Sequence, residues 1–359
     1  MSLSIAIVGL PNVGKSTLFN ALTNNNILAA NYPFATIEPN TGIVPVPDAR
    51  LAVLEKMYAA EKVIPATVAF VDIAGLVAGA SKGEGLGNKF LANIRECDAI
   101  VHVVRAFKDD DVLHVENRVD PAHDIDIITT ELILADIQVI ENHLPKVERD
   151  AKTDPKAKAK IETLRSALEF LNAGHGLSTV SLNTESIQDL QLLTMKPVIY
   201  LFNVDEETLS NTERQASLAA FVAPAASVFV CAKLEEELRE LSAEDTSDLL
   251  ESYGVTESGL SQLARVAYAT LGLQSYLTAG PKEVRAWTIH QGWTAPQAAG
   301  VIHGDFEKGF IAAAIVDFDD LVTAGSEQAA KAAGKMRTEG RDYVMRPGDI
   351  VEFRFNVSK

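Results

Sequence analysis

The chain has 359 residues, 47% of them hydrophobic and 23% charged, a composition typical of a globular protein with two or three domains. Its formal net charge of −17 argues against a protein that coats nucleic acid, because that affinity depends on neutralising phosphates with Lys and Arg. Two cysteines, Cys97 and Cys231, are too few for a disulfide framework or a zinc site. The start, "MSLSIAIVGL", has no signal-peptide features and no apolar run suits a membrane helix, so we expect a cytoplasmic protein without a membrane partner.

The first predicted elements are a buried strand in "LSIAIV", a tight loop and a helix in "KSTLFNALT". The loop "GLPNVGKST" fits the phosphate-binding pattern G-x-x-x-x-G-K-[ST], in the strand-to-helix context that supports it. In such a loop Lys15 bridges the β- and γ-phosphates, and the Ser16 hydroxyl ligates Mg²⁺. We therefore predict that ATP or a related nucleotide contacts Asn12, Val13, Gly14, Lys15, Ser16 and Thr17.

Two further segments suit a nucleotide-dependent switch. Asp72 ends the predicted strand of "AFVDIAG", where a carboxylate can hold Mg²⁺ through water and the Gly75 N–H can meet the γ-phosphate. Upstream, "YPFATIEPN" offers Thr36 as a second hydroxyl for the metal. The predicted metal ligands are therefore Ser16, Thr36 and Asp72. The glycine-rich "LVAGASKGEGLGNKF" that follows could be ordered by the γ-phosphate and released by hydrolysis.

Other apolar runs repeat the pattern of a strand that ends at a turn. They are "DAIVHVVRAF", "KPVIYLFNVD" and "AASVFVCAK", separated by segments of helix length. This arrangement predicts an α/β fold with a parallel-rich sheet covered on both faces. We assign residues 1–120 and 196–277 to this P-loop nucleotide-binding domain.

Residues 121–195 predict a helical coiled-coil insertion. Apolar residues recur at spacings of 4, 3, 4 and 3 from Ile133 to Val147, and of 3, 4 and 3 from Ile161 to Leu171. Two such stripes joined by a turn indicate an antiparallel helical hairpin, whose second helix would begin at the N-cap Asp154. The turn region is rich in lysine, which is either a solvated helix face or a basic tip that contacts phosphate.

The stretch "NVDE", residues 203–206, resembles the Asn-Lys-x-Asp motif that reads guanine, but Val204 replaces Lys and Glu206 replaces Asp. Asp accepts the two donors of guanine, whereas adenine has an acceptor at N1, so a true guanine site would reject adenine about 10⁴-fold. Asn203 has a donor and an acceptor for adenine N6 and N7. The backbone of Cys231, Ala232 and Lys233, in "VCAK", would approach the base from the other side. We predict ATP over GTP.

From about residue 278 the pattern changes to strands, "VRAWTIHQG", "GFIAAAIVDF" and "IVEFRFNV", with one helix signal at "TAPQAAGVIHGDF". This predicts a small α+β module over residues 278–359. Its arginines Arg337, Arg341, Arg346 and Arg354 are offset by nearby acids, so they form either a solvated rim or part of a basic groove for RNA.

Taken in order, these motifs resemble the YchF / Obg-like ATPase family. The likeness carries through "NYPFATIEPN", "DIAGLVAGASKGEGLGNKFL", "NVDE", "AGPKEVRAWTI" and "APQAAGVIHGDFEKGFI", and it spans essentially the whole chain. It implies a nucleotide-binding domain interrupted by a coiled-coil arm, then a C-terminal TGS domain of β-grasp form. It also implies an ATPase that hydrolyses GTP less well, binds ribosomes and is linked to stress responses.

Catalysis has a gap, because Leu76 stands where many switches carry a Gln that orients the attacking water. Hydrolysis should be slow unless another group supplies that contact. His114, in a predicted loop, is the better candidate, whereas His102 lies within a strand and is expected to be a hydrogen-bonded core residue.

Three other functions remain open at this point. A GTP-specific Obg-like GTPase would need the guanine contacts that "NVDE" lacks. A P-loop metabolic kinase would need an acceptor pocket with a general base, and the sequence offers no such constellation. A non-enzymatic scaffold is favoured by Leu76 but disfavoured by the predicted metal ligands. We expect a switch that binds the ribosome, through RNA or protein, with the helical arm and the C-terminal module.

Overall fold

The computed structural model describes residues 3–24, 40–73, 86–107, 119–151, 154–239 and 241–356. The chain divides into two compact units, a P-loop unit of Met1–Val44 and Ala69–Val266, and a C-terminal unit of Pro45–Val68 and Ala267–Lys359. Thr36, Gly75, Leu76 and His114 lie outside the described residues, so their predicted roles stay predictions.

The strands of the described residues are β1 (Ser4–Val8), β2 (Thr41–Pro45), β3 (Val63–Ile64), β4 (Thr67–Asp72), β5 (Ala99–Arg105), β6 (Val198–Asn203), β7 (Ala226–Val230), β8 (Leu273–Ala279), β9 (Val284–His290), β10 (Phe310–Asp317), β11 (Arg337–Glu339) and β12 (Asp349–Phe355). The helices are α1 (Lys15–Asn24), α2 (Ala49–Tyr58), α3 (Leu86–Glu96), α4 (Pro121–Asp150), α5 (Pro155–Asn172), α6 (Glu206–Leu209), α7 (Thr212–Ala220), α8 (Ala232–Leu238), α9 (Ala243–Ser252), α10 (Gly259–Thr270), α11 (Ala295–Ile302), α12 (Gly304–Lys308), α13 (Phe318–Ala324) and α14 (Glu327–Ala332).

The P-loop unit contains a six-stranded sheet in the order β2-β4-β1-β5-β6-β7. The pairs β1–β4, β1–β5, β5–β6 and β6–β7 are parallel, as the apolar runs predicted. Every residue of β5 is buried, which is the pattern of a strand covered on both faces. The predicted fold class is confirmed: the unit is an α/β fold with a parallel-rich sheet.

The predicted helical hairpin is formed by α4 and α5. Pro121 and Pro155 occupy the first turns, and the preceding acids Asp120 and Asp154 accept backbone N–H groups as N-caps. The apolar stripes meet in one buried cluster that includes Ile140 and Leu164, neither of which is exposed. α4 begins twelve residues before the first position of its heptad-like stripe, because its earlier turns pack on the sheet side of the unit instead.

Three short 3-10 turns follow the hairpin, at Leu177–Thr179, Glu185–Leu190 and Leu193–Met195. The last of them is bound to α4 through the buried Asp136. Its carboxylate accepts the Leu193 N–H at 2.8 Å, the Thr194 N–H at 2.8 Å and the Thr194 hydroxyl at 2.7 Å. These charge-assisted bonds fix the return of the chain from the arm to β6.

The C-terminal unit contains a second sheet in the order β11-β10-β12-β8-β9-β3. Pairing is antiparallel for β8–β9, β10–β12 and β10–β11, and parallel for β12–β8 and β3–β9. Tyr276, Ile289, Ala313 and Ile315 form part of its buried core, together with residues of α11. The predicted α+β character is therefore confirmed, but the expectation of a single helix is wrong, since α12, α13 and α14 follow α11.

The unit boundaries differ from the sequence-based boundaries in two segments. Residues 267–277 were assigned to the nucleotide-binding domain but belong to the C-terminal unit. Residues 45–68 were assigned to the nucleotide-binding domain, whereas β3 pairs with β9 and carries this segment into the C-terminal unit. The pairing joins residues more than 200 positions apart, at Val63–Val284 and Ile64–Arg285, so it cannot be predicted from a local sequence pattern. The division into three domains, with the arm at 121–195, stays a prediction. Within the described ranges, no helix is long and apolar enough to cross a membrane.

Candidate nucleotide site

The phosphate loop connects β1 to α1 and depends on two glycines. A Cβ on Gly9 would lie 2.5 Å from the Val103 carbonyl oxygen of β5. A Cβ on Gly14 would lie 2.3 Å from Asn203 Nδ2, and its φ of +96° is a conformation that other residues rarely adopt. Glycine is therefore required at both positions for the loop to pack against the ends of β5 and β6.

Lys15 is buried inside this loop. Its ammonium donates to the carbonyl oxygens of Gly9 at 2.9 Å and Leu10 at 2.6 Å. Burial lowers the pKa of Lys15 to about 8, and the charge of Asp72 partly opposes that shift. A poorly solvated ammonium whose described hydrogen-bond acceptors are neutral carbonyl oxygens is well suited to bind a more negative group such as a phosphate.

Ser16 and Asp72 provide the oxygen atoms expected for magnesium. Asp72 ends β4 beside β1, where it is paired in register with Ile7, and Ser16 lies exposed in the first turn of α1. Burial raises the pKa of Asp72, whereas the charge of Lys15 lowers it. A hydroxyl and a carboxylate are hard oxygen ligands that fit Mg²⁺.

No group of three or more His, Cys, Asp or Glu side chains that could hold a metal occurs in the described part of the chain. Of the predicted metal ligands, Ser16 and Asp72 could hold a magnesium ion, and Thr36 lies outside the described residues.

Asn203, at the end of β6, ties the phosphate loop to α8. Its Nδ2 donates to the Val13 carbonyl at 3.0 Å, and its Oδ1 accepts the Ala232 N–H at 3.1 Å. The side chain is 3% exposed, and these two bonds use one donor and one acceptor site of the amide. The structure thus gives Asn203 a bridging role that sequence reasoning missed, while its contact with a base stays a prediction.

Glu206, at the position of the guanine-reading acid, is hydrogen-bonded to two other side chains. Its Oε1 accepts from Lys233 Nζ at 3.2 Å, and its Oε2 accepts from the Tyr253 hydroxyl at 3.2 Å. The hydrogen bond with Glu206 raises the pKa of Lys233. The structure therefore brings together two residues that the sequence assigned to the base site, and it adds Tyr253, which no motif indicated.

Val204 and Cys231 contribute little polar surface. Val204 is 2% exposed and belongs to an apolar cluster with Val104 and Phe202. Cys231 precedes α8 as its N-cap without a side-chain cap bond, and burial raises the pKa of its thiol. A thiol with a raised pKa is a poor nucleophile, so we assign it no chemical role.

His102 is a core residue, as predicted. It is 2% exposed, and burial, followed by the charge of Lys15, lowers the pKa of its imidazole to about 3. The expectation that it is fully hydrogen-bonded is wrong, because Nε2 has no partner in the described residues. A buried imidazole that stays neutral near pH 7 does not suit a role as a catalytic acid, and His114 stays the predicted catalytic histidine.

The basic residues outside the site are only partly neutralised. On the arm, Lys160 pairs with Asp189 at 2.8 Å, whereas Lys156 and Lys158 are exposed on the same helix. In the C-terminal unit, Arg337 lies 3.5 Å from the buried Asp349, and Arg354 is exposed. Both predicted contact surfaces therefore carry exposed cations.

Comparison with known proteins gives consistent matches along the whole chain. The family model described as a 50S ribosome-binding GTPase matches residues 4–140, and the YchF-GTPase_C model, described as a protein of unknown function, matches residues 273–356. The chain is 51% identical to the ribosome-binding ATPase YchF of Haemophilus influenzae, over 99% of this chain and 100% of that protein. It is 48% identical to the ribosome-binding ATPase YchF of Bacillus subtilis, with the same coverage.

A solved structure also resembles the chain over its full length. The YchF GTPase of Schizosaccharomyces pombe is 37% identical, and the match covers 98% of both chains with a TM-score of 0.87.

Proposed function

The chain belongs to the YchF family, and on that premise we propose that it is a ribosome-binding, magnesium-dependent ATPase that prefers ATP to GTP. The relatives from H. influenzae and B. subtilis are named ribosome-binding ATPases, whereas the related structure from S. pombe is named a GTPase. The choice of base must therefore be supported by the residues of this chain.

The observation that carries the preference for ATP is the environment of Glu206. A guanine clamp needs a carboxylate whose two oxygens are turned to the N1 and N2 donors of the base. Here each oxygen of Glu206 already accepts a hydrogen bond, from Lys233 and from Tyr253. In addition, the Lys that would pack over guanine is replaced by Val204, which is buried among apolar side chains. A guanine base would therefore compete with Lys233 and Tyr253 for Glu206 and would have no Lys packed over it, whereas adenine needs neither contact.

The phosphate end supports hydrolysis with Mg²⁺. When bound, Mg²⁺ would supply charge stabilisation to the phosphates during hydrolysis. Ser16 and Asp72 would hold the ion, and Lys15 would exchange its two carbonyl partners for phosphate oxygens. We assign the orientation of the attacking water to His114 only as a prediction, and slow turnover is expected because Leu76 cannot hydrogen-bond water.

We propose the ribosome as the partner of this protein and the cytoplasm as its location. The exposed cations of the arm and of the C-terminal unit are the surfaces proposed to contact ribosomal RNA. Binding that falls steeply with salt would support a phosphate contact, because each neutralised phosphate releases counterions. A salt-independent association would indicate a contact with ribosomal protein.

The base preference is tested by measuring the dissociation constants of ATP and GTP with purified protein, with and without ribosomes. We expect tighter binding of ATP, and we expect the double variant Val204→Lys with Glu206→Asp to move the preference toward GTP. Strong GTP preference in the wild type would refute the proposal. Phosphate release without an added acceptor separates an ATPase from a metabolic kinase, which would require the acceptor.

A further inference from the structure

A buried carboxylate lies one helical turn behind the base site. Glu235, in the first turn of α8, is 5% exposed, and its Oε1 accepts the Gly259 N–H at 2.6 Å and the Leu260 N–H at 3.4 Å. These two N–H groups begin α10, where a helix has no partners of its own for its first donors. A negative charge at this point also interacts favourably with the helix dipole. Glu235 therefore caps α10 from α8.

The same turn of α8 carries a contact of the nucleotide site. The N–H of Ala232, the first residue of α8, donates to Asn203, and Asn203 in turn donates to the phosphate loop at Val13. The Glu235 N–H closes this first turn on the Cys231 carbonyl at 3.0 Å. The described contacts thus run from the phosphate loop through Asn203 and the start of α8 to the start of α10. Displacement of Glu235 would therefore disturb the contacts of α8 with α10 and with Asn203.

Glu235 faces a cavity whose described lining carries no cation. It lines a cavity of about 270 Å³ between α6, α7, β7, α8, α9 and α10, and none of the described lining residues is Lys or Arg. The ionisable lining residues besides Glu235 are Cys231 and Glu257, and Glu257 pairs with Arg265. The residues from α6, α7, β7 and α9 are not ionisable. Burial raises the pKa of Glu235 to about 7, with its hydrogen bonds opposing the shift.

We propose that Glu235 is a positioning residue of the base site, whose ionised carboxylate fixes the start of α8 against α10 and so holds the Ala232 N–H in place for Asn203. The inference rests on the proposed nucleotide function of this site. A protonated carboxyl is a weaker acceptor for the N–H groups of α10 than a carboxylate. Nucleotide affinity should therefore fall as the pH drops through the neutral range.

The test measures the dissociation constant of ATP for the full chain at pH 6 and pH 8, in the wild type, Glu235→Gln and Glu236→Gln. The Gln variant keeps an acceptor oxygen without a titrating charge, and Glu236 is an exposed neighbour on the same helix. ATP itself binds protons in this range, so affinities are compared between variants at each pH. If ATP binding needs the ionised form of Glu235, the fraction of protein in that form falls from about nine-tenths at pH 8 to about one-tenth at pH 6. The affinity for ATP then falls about tenfold.

We expect this loss in the wild type and in Glu236→Gln, relative to Glu235→Gln. Parallel pH profiles for all three proteins would overturn the inference, since the effect would then not pass through Glu235. Equal pH dependence in wild type and Glu235→Gln with normal ATP binding would leave the proposed ATPase intact. Absence of ATP binding in the wild type and Glu236→Gln at both pH values would instead refute the proposed function.

Discussion

The effect of replacing Glu235 by Gln on the stability of the protein should become more favourable as the pH rises, although the substitution removes a charged helix cap. The carboxyl is 5% exposed, and its pKa is raised from 4.5 to about 7, mainly because burial disfavours the charged form. The folded state therefore holds this proton to higher pH than the unfolded chain does. Stability from this group is fully present below pH 4.5 and is lost as the pH rises through 7.

The size of the effect follows from the two pKa values. Integrating the difference in bound protons between pH 5 and pH 8 gives a loss of about 2.5 kcal/mol in the contribution of Glu235 to the free energy of unfolding. Gln cannot titrate, so the Glu235→Gln variant does not lose this stability. The difference in free energy of unfolding, variant minus wild type, should therefore rise by about 2.5 kcal/mol from pH 5 to pH 8. No discount for solvent screening applies, because the side chain is almost completely buried.

The assay is urea unfolding followed by circular dichroism at pH 5 and pH 8 for the wild type, Glu235→Gln and Glu236→Gln. The exposed Glu236 serves as the control, and its variant should follow the wild type at both pH values. A difference between wild type and Glu235→Gln that does not change with pH would show that the carboxyl titrates normally, and it would refute the assigned burial cost.

Two further substitutions test the bridge between the phosphate loop and α8. Asn203→Ala removes the partners of the buried Val13 carbonyl and Ala232 N–H, so we expect a loss of about 2 kcal/mol in thermal unfolding and at least tenfold weaker ATP binding; unchanged ATP affinity would contradict the bridge. Gly14→Ala places a Cβ 2.3 Å from Asn203 Nδ2 and should abolish ATP binding, whereas Gly174→Ala, also at positive φ but in open space, should leave it intact. Equal effects of the two alanines on ATP binding would attribute the loss to general backbone strain.

Local patterns in the sequence were sufficient for much of the fold. Burial on both faces makes a parallel strand continuously apolar, and this placed β1, β4, β5, β6 and β7 correctly. The heptad-like spacing and the Asp154-Pro155 pair predicted the hairpin because helix periodicity and capping act within a few residues. The phosphate loop was likewise predicted, since the spacing of its glycines and lysine is a pattern within nine residues.

The tertiary structure alone decided how distant residues combine. Pairing of β3 with β9 moved residues 45–68 into the C-terminal unit, and no short-range signal encodes a pairing across more than 200 residues. Tyr253 donates a hydrogen bond to Glu206, 47 positions away in the sequence. Glu235 accepts one from Gly259 at the start of α10, 24 positions away.

The sequence by itself determined which chemical groups the protein has for phosphate, metal and base. Only the folded chain decided that Asn203 bridges the phosphate loop and α8, and that Glu206 is hydrogen-bonded to Lys233 and Tyr253. It also decided that Glu235 is buried in a cavity whose described lining has no Lys or Arg. The physical reason is that a side chain's hydrogen bonds and pKa depend on neighbours brought close by packing, which sequence spacing does not specify.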